Sequence, residues 1–435
     1  MLGLVATLLL TPLAPLPQNA ELMLEPTQYA ACVRAVGDCD LDGSTDIIVG
    51  SYQAKKGKGR AVVFSGKTGK QLFSIQGRNA GALFALTVGS AGDADNDGAA
   101  DFMIGAPLDE VRGKRVGVVR VYSGRTGKIL FELSGKDDGE RYGFALNNAG
   151  DVNQDGFGDF IIGAPGARLN KSSSPGAARV YSGKDASLLF EWYGEKDGDE
   201  FGATVDRAGD CDADGKTDLF VGARAGYARV YAGRKGKTLH ELDPDAKERN
   251  ARYAWCVRTA GDVNQDGAAD LIVGIPWGKE IAARVHSGKK KAKVLHEIER
   301  DTRSGTEGFS LGVAVDSAGD VNADGFDDFM VADPGFPVIL RDVSGELLPE
   351  LHQRIREKVA RPGRVVIYDG HKAKELLTLK GTERDDLFGV SISPAGDVDQ
   401  DGAGDVVIAS ALNGKVVARI YDGRNGKVLQ ELKVD

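Results

Sequence analysis

Abundant cysteine, proline-rich stretches, long apolar runs and an excess of positive charge are all missing from this sequence, and each absence removes a class of protein. Four cysteines in 435 residues (Cys32, Cys39, Cys211 and Cys256) are too few for a disulfide framework and show no C-x-x-C zinc spacing. Their spacing fits either two local bridges, Cys32 with Cys39 and Cys211 with Cys256, or four free buried thiols. Only 14 prolines accompany 59 glycines, the latter about twice the usual share, which excludes collagen and disordered linkers and points to many tight turns. Beyond the N-terminal segment no stretch approaches about eighteen consecutive apolar residues, so no membrane span is expected. A net charge of -9, from 64 acidic and 55 basic residues, argues against a nucleic-acid-binding protein. What is present, 42% hydrophobic and 27% charged residues, builds a sizeable core and excludes a disordered chain.

Residues 1–20 carry no charge, and Leu2 to Leu10 form an apolar run that breaks at Thr11 and Pro12. The run is too short to span a bilayer and reads as the apolar region of a signal peptide or as a disordered tail. It lacks the usual basic residue after Met1 and a clean small-x-small site before Glu21. The expectation is a secreted, periplasmic or cell-surface domain over residues 21–435.

Self-comparison shows one string seven times. GDCDLDGSTDIIVG at Gly37 returns as GDADNDGAADFMIG at Gly92, GDVNQDGFGDFIIG at Gly150, GDCDADGKTDLFVG at Gly209, GDVNQDGAADLIVG at Gly261, GDVNADGFDDFMVA at Gly319 and GDVDQDGAGDVVIA at Gly396. The leading aspartates are 55, 58, 59, 52, 58 and 77 residues apart. Each copy lies in a unit of four short alternating segments separated by glycine turns, as in YGFALNNAG, DFIIGAP, AARVYSG and SLLFEWYG of the third. A four-stranded antiparallel sheet cannot bury both faces alone, whereas seven packed radially share a continuous core. The predicted fold is all-β, a seven-bladed β-propeller of four-stranded antiparallel blades. Glu21 to Pro26 (ELMLEP) is similar to the fourth-strand segment at His240 to Pro244 and is read either as a latch that pairs beside the closing blade or as a loop.

Within each string a carboxylate or amide stands at positions one, three and five, glycine at six and a carboxylate at nine. Alternate side chains then converge on one point, glycine permits the sharp turn, and the carbonyl at seven adds an oxygen. The seven ligand sets are Asp38, Asp40, Asp42 and Asp46; Asp93, Asp95, Asp97 and Asp101; Asp151, Asn153, Asp155 and Asp159; Asp210, Asp212, Asp214 and Asp218; Asp262, Asn264, Asp266 and Asp270; Asp320, Asn322, Asp324 and Asp328; and Asp397, Asp399, Asp401 and Asp405. Hard oxygen donors of high charge suit Ca2+, up to seven ions, in a mainly structural role. Position twelve is apolar, as Val49, Ile104 and Ile162 show, so these are not EF-hands.

The units resemble the FG-GAP repeats of the integrin α-subunit headpiece and related bacterial proteins. The FG pair is matched by Tyr142-Gly143, Phe201-Gly202 and Phe388-Gly389, with departures at Phe84-Ala85, Tyr253-Ala254 and Phe309-Ser310. GAP is matched at Gly105-Ala106-Pro107 and Gly163-Ala164-Pro165. The resemblance covers about residues 27–435. It implies protein or matrix recognition through the face opposite the calcium hairpins, the face of the second-to-third-strand loops.

Candidate catalytic motifs dissolve into the repeat. Gly308-Phe309-Ser310-Leu311-Gly312 has the G-x-S-x-G pattern but falls where a propeller strand opens, with no helix after it. His240 and His296 hold equivalent fourth-strand positions. Unit six carries an insertion at about 337–363, in which Leu347, Leu348, Leu351, Ile355 and Val359 fall at helical spacing, so a short amphipathic helix is expected there, either packed on its own domain or in contact with a partner. The sequence therefore reads as an exported, monomeric, non-enzymatic binding or adhesion module for an extracellular protein. The alternatives are a carbohydrate-binding propeller and a propeller hydrolase or lyase. Twenty-five of the 64 acidic residues are loop aspartates; seven calcium ions would turn -9 into about +5, which admits anionic partners such as a protein, an acidic glycan or lipid headgroups.

Overall fold

The computed structural model describes residues 23–26, 31–244, 252–278, 280–300, 310–335, 338–341, 361–384, 386–412 and 415–434. Within these residues each repeat unit forms one four-stranded antiparallel sheet with its strands in chain order, giving seven sheets. In blade 1 the strands are Cys32–Gly37, Asp46–Ser51, Arg60–Phe64 and Gln71–Gln76. In blade 7 they are Ser391–Gly396, Asp405–Leu412, Lys415–Tyr421 and Val428–Val434.

Burial peaks in the second strand of each blade and falls toward the fourth. The second strand of blade 1, DIIVGS, is buried at every position, whereas the fourth, QLFSIQ, alternates between exposed and half-buried. A strand apolar on both faces must be covered on both, and the neighbouring blades do this. Ile47 and Val49 face blade 7, packing with Val407, Ala409 and Ile420, while Ile48 faces blade 2, packing with Phe102 and Ile104. Each of the seven blade interfaces has its own apolar cluster. The first strands of successive blades contact one another around the axis, and those of blades 7 and 1 close the ring. There the Val33 amide donates to Ser391 Oγ (3.0 Å) and Arg34 Nη1 to the Ile392 carbonyl (2.7 Å).

The expected N-terminal latch is placed differently. All four strands of blade 7 come from the C-terminal segment, so its outer position is already held by Val428–Val434. Met23–Pro26 instead pairs antiparallel with Val338–Arg341 of the blade-six insertion in a separate two-stranded sheet. The described part of that insertion is thus a strand rather than a helix; the amphipathic segment at 347–359 lies outside the described residues.

The FG pair sits at the corner that feeds the first strand, nine residues before the leading loop aspartate. Its aromatic plugs the interblade core, as Phe84, Tyr142, Phe201, Tyr253 and Phe388 show. The next residue turns through positive φ, from 82° to 86° at Gly143, Gly202 and Gly389. Ala85 and Ala254 adopt the same conformation (φ 63° and 58°) at a steric cost that glycine avoids. In blade 6 this place belongs to Leu311-Gly312, not to Phe309-Ser310. Leu311 is buried in the blade 5–6 core, and Gly312 (φ 91°) donates to the Ala332 carbonyl at 2.9 Å, as Gly143 does to Gly163. The decoy was the aromatic ring at Phe309, two residues upstream.

Candidate metal loops and central channel

Each acidic string links the first strand of a blade to its second, so all seven loops lie on one face of the ring. The loop conformation comes from its own carboxylates. The aspartate at position one accepts the amides of positions five and six in every loop, at 2.8–3.1 Å. Position six is glycine at φ 80–91° in all seven, and position four is also left-handed (55–62°), although leucine, asparagine, glutamine or alanine stands there.

The aspartate at position nine opens the second strand and is at most 1% exposed in every blade. One oxygen accepts the amide of position two; the other accepts the amide of the glycine that follows the third strand, all at 2.7–3.2 Å. This staples the acidic loop to the third-to-fourth-strand turn. Those glycines (66, 124, 183, 233, 288, 370 and 423) are obligatory, because an added Cβ would stand 1.8–2.0 Å from a backbone oxygen. Burial, the largest cause, pushes these carboxyls up, to about 6 in Asp46, Asp159, Asp218 and Asp405 and about 7 in Asp101, Asp270 and Asp328. Further carboxylates at positions one, three or five add to the rise.

The four loops with aspartate at position three bring three carboxylate oxygens within 4.8 Å of one another: Asp38, Asp40 and Asp42; Asp93, Asp95 and Asp101; Asp210, Asp212 and Asp218; Asp397, Asp399 and Asp405. The three asparagine loops answer with an amide. Asn153 Nδ2 donates to Asp155 (3.1 Å), Asn322 Nδ2 to Asp324 (3.2 Å) and Asn264 Nδ2 to Asp270 (2.9 Å). Asp95 Oδ1 and Asp266 Oδ2 are buried without a hydrogen-bond partner, the position of an oxygen that expects a cation or water. The donor set, all oxygen and mostly charged, fits a hard divalent ion.

The third-to-fourth-strand turn adds side chains that the spacing argument missed. Ser65 Oγ and Ser182 Oγ reach Asp42 and Asp155 at 3.3 Å, and in blade 7 the same place is aspartate, Asp422, which clusters with Asp399 and Asp401. The variable first residue of the turn, serine in SGKTGK but aspartate in DGRNGK, was the available signal.

A second constellation lies on the axis, four residues before each leading aspartate: Arg34, Gly89, Asn147, Asp206, Arg258, Asp316 and Ser393. Asp316 stands 3.7 Å from both Arg34 and Arg258, tying blade 6 to blades 1 and 5. Asp206 accepts from Asn147 and from the Thr259 amide. Burial first, and for Asp206 also the neighbouring Asp316, raises both carboxyls. Spacing alone did not reveal this ring because its residue type changes from blade to blade.

The remaining candidates are structural. Ser310 Oγ donates to Asp333, which also takes Arg361, so the serine of G-x-S-x-G holds an ion-paired carboxylate. His240 Nε2 meets the Gly288 carbonyl and His296 Nε2 that of Gly370 (2.8 Å), each clamping one blade to the next. All four cysteines are free thiols; Cys39 and Cys211 are buried at loop position two, and burial raises both.

Comparison with known proteins agrees with this architecture. Residues 210–273 match an FG-GAP-like repeat model and residues 145–181 an FG-GAP repeat model. Integrin alpha-5 of Xenopus laevis is 30% identical over 62% of this chain and 28% of its own length. Integrin alpha-V of Gallus gallus is 30% identical over 43% of the chain and 19% of its own length, and integrin alpha-PS2 of Drosophila melanogaster 37% over 32% and 10%. The chain carries FG-GAP repeats, has integrin α-subunits as homologues, and spans less than a third of each of these relatives. Among the described residues no helix is long and apolar enough to cross a membrane.

Proposed function

We propose that this chain is an extracellular binding module, a propeller held rigid by up to seven calcium ions that engages a protein partner with the face opposite its metal loops. The observation that carries the reading is the repetition, in all seven blades, of one oxygen-rich loop on a single face. Positions one, three, five and nine would hold the ion together with the carbonyl at seven. The ion supplies neutralisation: carboxylates this close repel one another, and a cation turns that cost into folding free energy. The other face is left to loops that differ from blade to blade, which suits recognition, and the likeness to integrin α-subunits supports protein adhesion over catalysis. Ser310, His240 and His296 are each engaged in a structural contact, which also favours binding.

Melting in the presence of increasing calcium tests the metal half. A hundredfold excess over Kd stabilises by about 2.7 kcal/mol per site. The melting temperature should climb steeply with calcium and much less with equal magnesium; an unchanged melting temperature defeats the reading. Capture from an exterior protein fraction, performed with calcium and with chelator, tests the binding half. Retention only with calcium is expected, and an empty calcium-loaded capture counts against a binding module.

A further inference from the structure

Above the axial ring, toward the face opposite the metal loops, the channel opens into a cavity of about 560 Å3. Among the described residues its charged lining is five arginines, Arg34, Arg141, Arg224, Arg252 and Arg258, against one carboxylate, Glu200. Arg34 and Arg258 form the floor and share Asp316. At the mouth, among the described residues, Glu200 is shared between Arg141 (2.7 Å) and Arg224 (3.5 Å), and Arg252 makes no ion pair with a described carboxylate.

Aromatic rings hold these guanidinium groups in place. Arg224 lies 3.9 Å over Trp255 and 5.4 Å over Phe144, Arg141 lies 5.7 Å over Phe144, and Arg252 lies 5.9 Å over Trp255. Trp277 braces Trp255 edge-on at 4.8 Å. A guanidinium stacked on a ring is oriented without using its in-plane N–H groups, the ones that grip a carboxylate in bidentate fashion. Concave walls of low dielectric strengthen the surplus positive field.

We propose that this mouth binds a carboxylate side chain, aspartate or glutamate, of the partner protein. The proposal rests on the binding-module reading and names the chemistry of its contact. An acidic peptide fits better than an acidic glycan, because sugar recognition uses open aromatic faces and here arginines cover them.

The test uses the full chain in saturating calcium, with fluorescein-labelled hexaglutamate as probe, hexaglutamine as neutral control and a heparin hexasaccharide as anionic sugar. Anisotropy should show hexaglutamate binding that weakens with salt, with no hexaglutamine binding. Arg252→Gln and Arg141→Gln should each weaken it about tenfold or more, while Arg234→Gln, exposed at a turn on the metal-loop face, leaves it unchanged. Unchanged melting temperatures confirm that the variants fold, and Arg252→Gln, which removes no described ion pair, remains informative if Arg141→Gln does not. Absence of hexaglutamate binding, equal binding by all variants, or heparin binding lost in Arg252→Gln without hexaglutamate binding overturns the proposal. If Arg252→Gln still captures the native partner fully, the mouth is not the contact although the binding-module reading stands.

Discussion

Blades 1, 2, 4 and 7 place aspartate at the third loop position and blades 3, 5 and 6 place asparagine, and the two sets of loops manage the same crowding in different ways. In the first set three carboxylate oxygens converge within 4.8 Å with no side-chain amide at position three to donate to them. In the second an asparagine amide reaches a loop carboxylate, so part of the repulsion is relieved by the chain itself. The difference teaches that one backbone loop serves two electrostatic states. If the loops hold calcium as proposed, the aspartate loops would depend on the ion, whereas the asparagine loops would be partly self-sufficient and would surrender a charge that draws it in.

The largest effect should ignore this division. The position-nine aspartate is buried and accepts two backbone amides in both sets, so its removal orphans those two backbone donors whatever stands at position three, and in blade 5 the Asn264 amide as well. Leaving one buried donor unsatisfied costs about 1–3 kcal/mol. Asp101→Ala in an aspartate loop and Asp270→Ala in an asparagine loop should therefore each destabilise by about 2–6 kcal/mol in denaturant unfolding, with calcium or with chelator. A loss confined to Asp101→Ala would show that the staple belongs to one class only.

Proton binding should come next in size and should also be shared. Burial raises the position-nine carboxyls to about 6 or 7, above the unfolded value of about 3.9. A carboxyl raised on folding contributes stability that is full below the unfolded pKa and lost as pH rises through the folded one. In chelator, the melting temperature should fall from pH 5 to pH 8. Saturating calcium competes with those protons and should flatten or reverse the slope. A slope that rises with pH in chelator would mean that the carboxylates are already paired without an ion.

What the sequence made visible follows from the range of each constraint. The acidic loop is complete within nine residues, and its glycine and carboxylate positions repeat seven times, so both the ring and the convergence of carboxylates in each loop were legible. The pairing of Met23–Pro26 with Val338–Arg341 joins segments more than 300 residues apart, and likeness to a fourth strand pointed instead to the closing blade. In blade 6 the aromatic Phe309 drew the corner two residues off, although the constant distance to the loop aspartate singles out Leu311. The axial ring and the arginine mouth escaped notice because position is constant there while residue type is not. Arginine, glycine, asparagine and aspartate at one site look like noise until the blades are set around a common axis.

The smallest effect is the one that divides the loops. Asn153→Asp should convert blade 3 to the crowded state, and Asp95→Asn should relieve blade 2. Each exchange alters one charge among partly exposed groups and one amide contact, about 1 kcal/mol in either direction. The signs oppose. Asn153→Asp should lower stability in chelator and tighten calcium binding, while Asp95→Asn, which removes a carboxylate with one buried unpartnered oxygen, should raise stability in chelator and weaken calcium binding. Amide hydrogen exchange over 151–159 and 93–101 reports each loop separately, so the global melt need not resolve so small a change. If both substitutions move chelator stability in the same direction, the asparagine amide is not what quiets blades 3, 5 and 6. The distinction would then lie in the turn above each loop, where Ser65 and Ser182 meet position five and Asp422 brings one more carboxylate to blade 7.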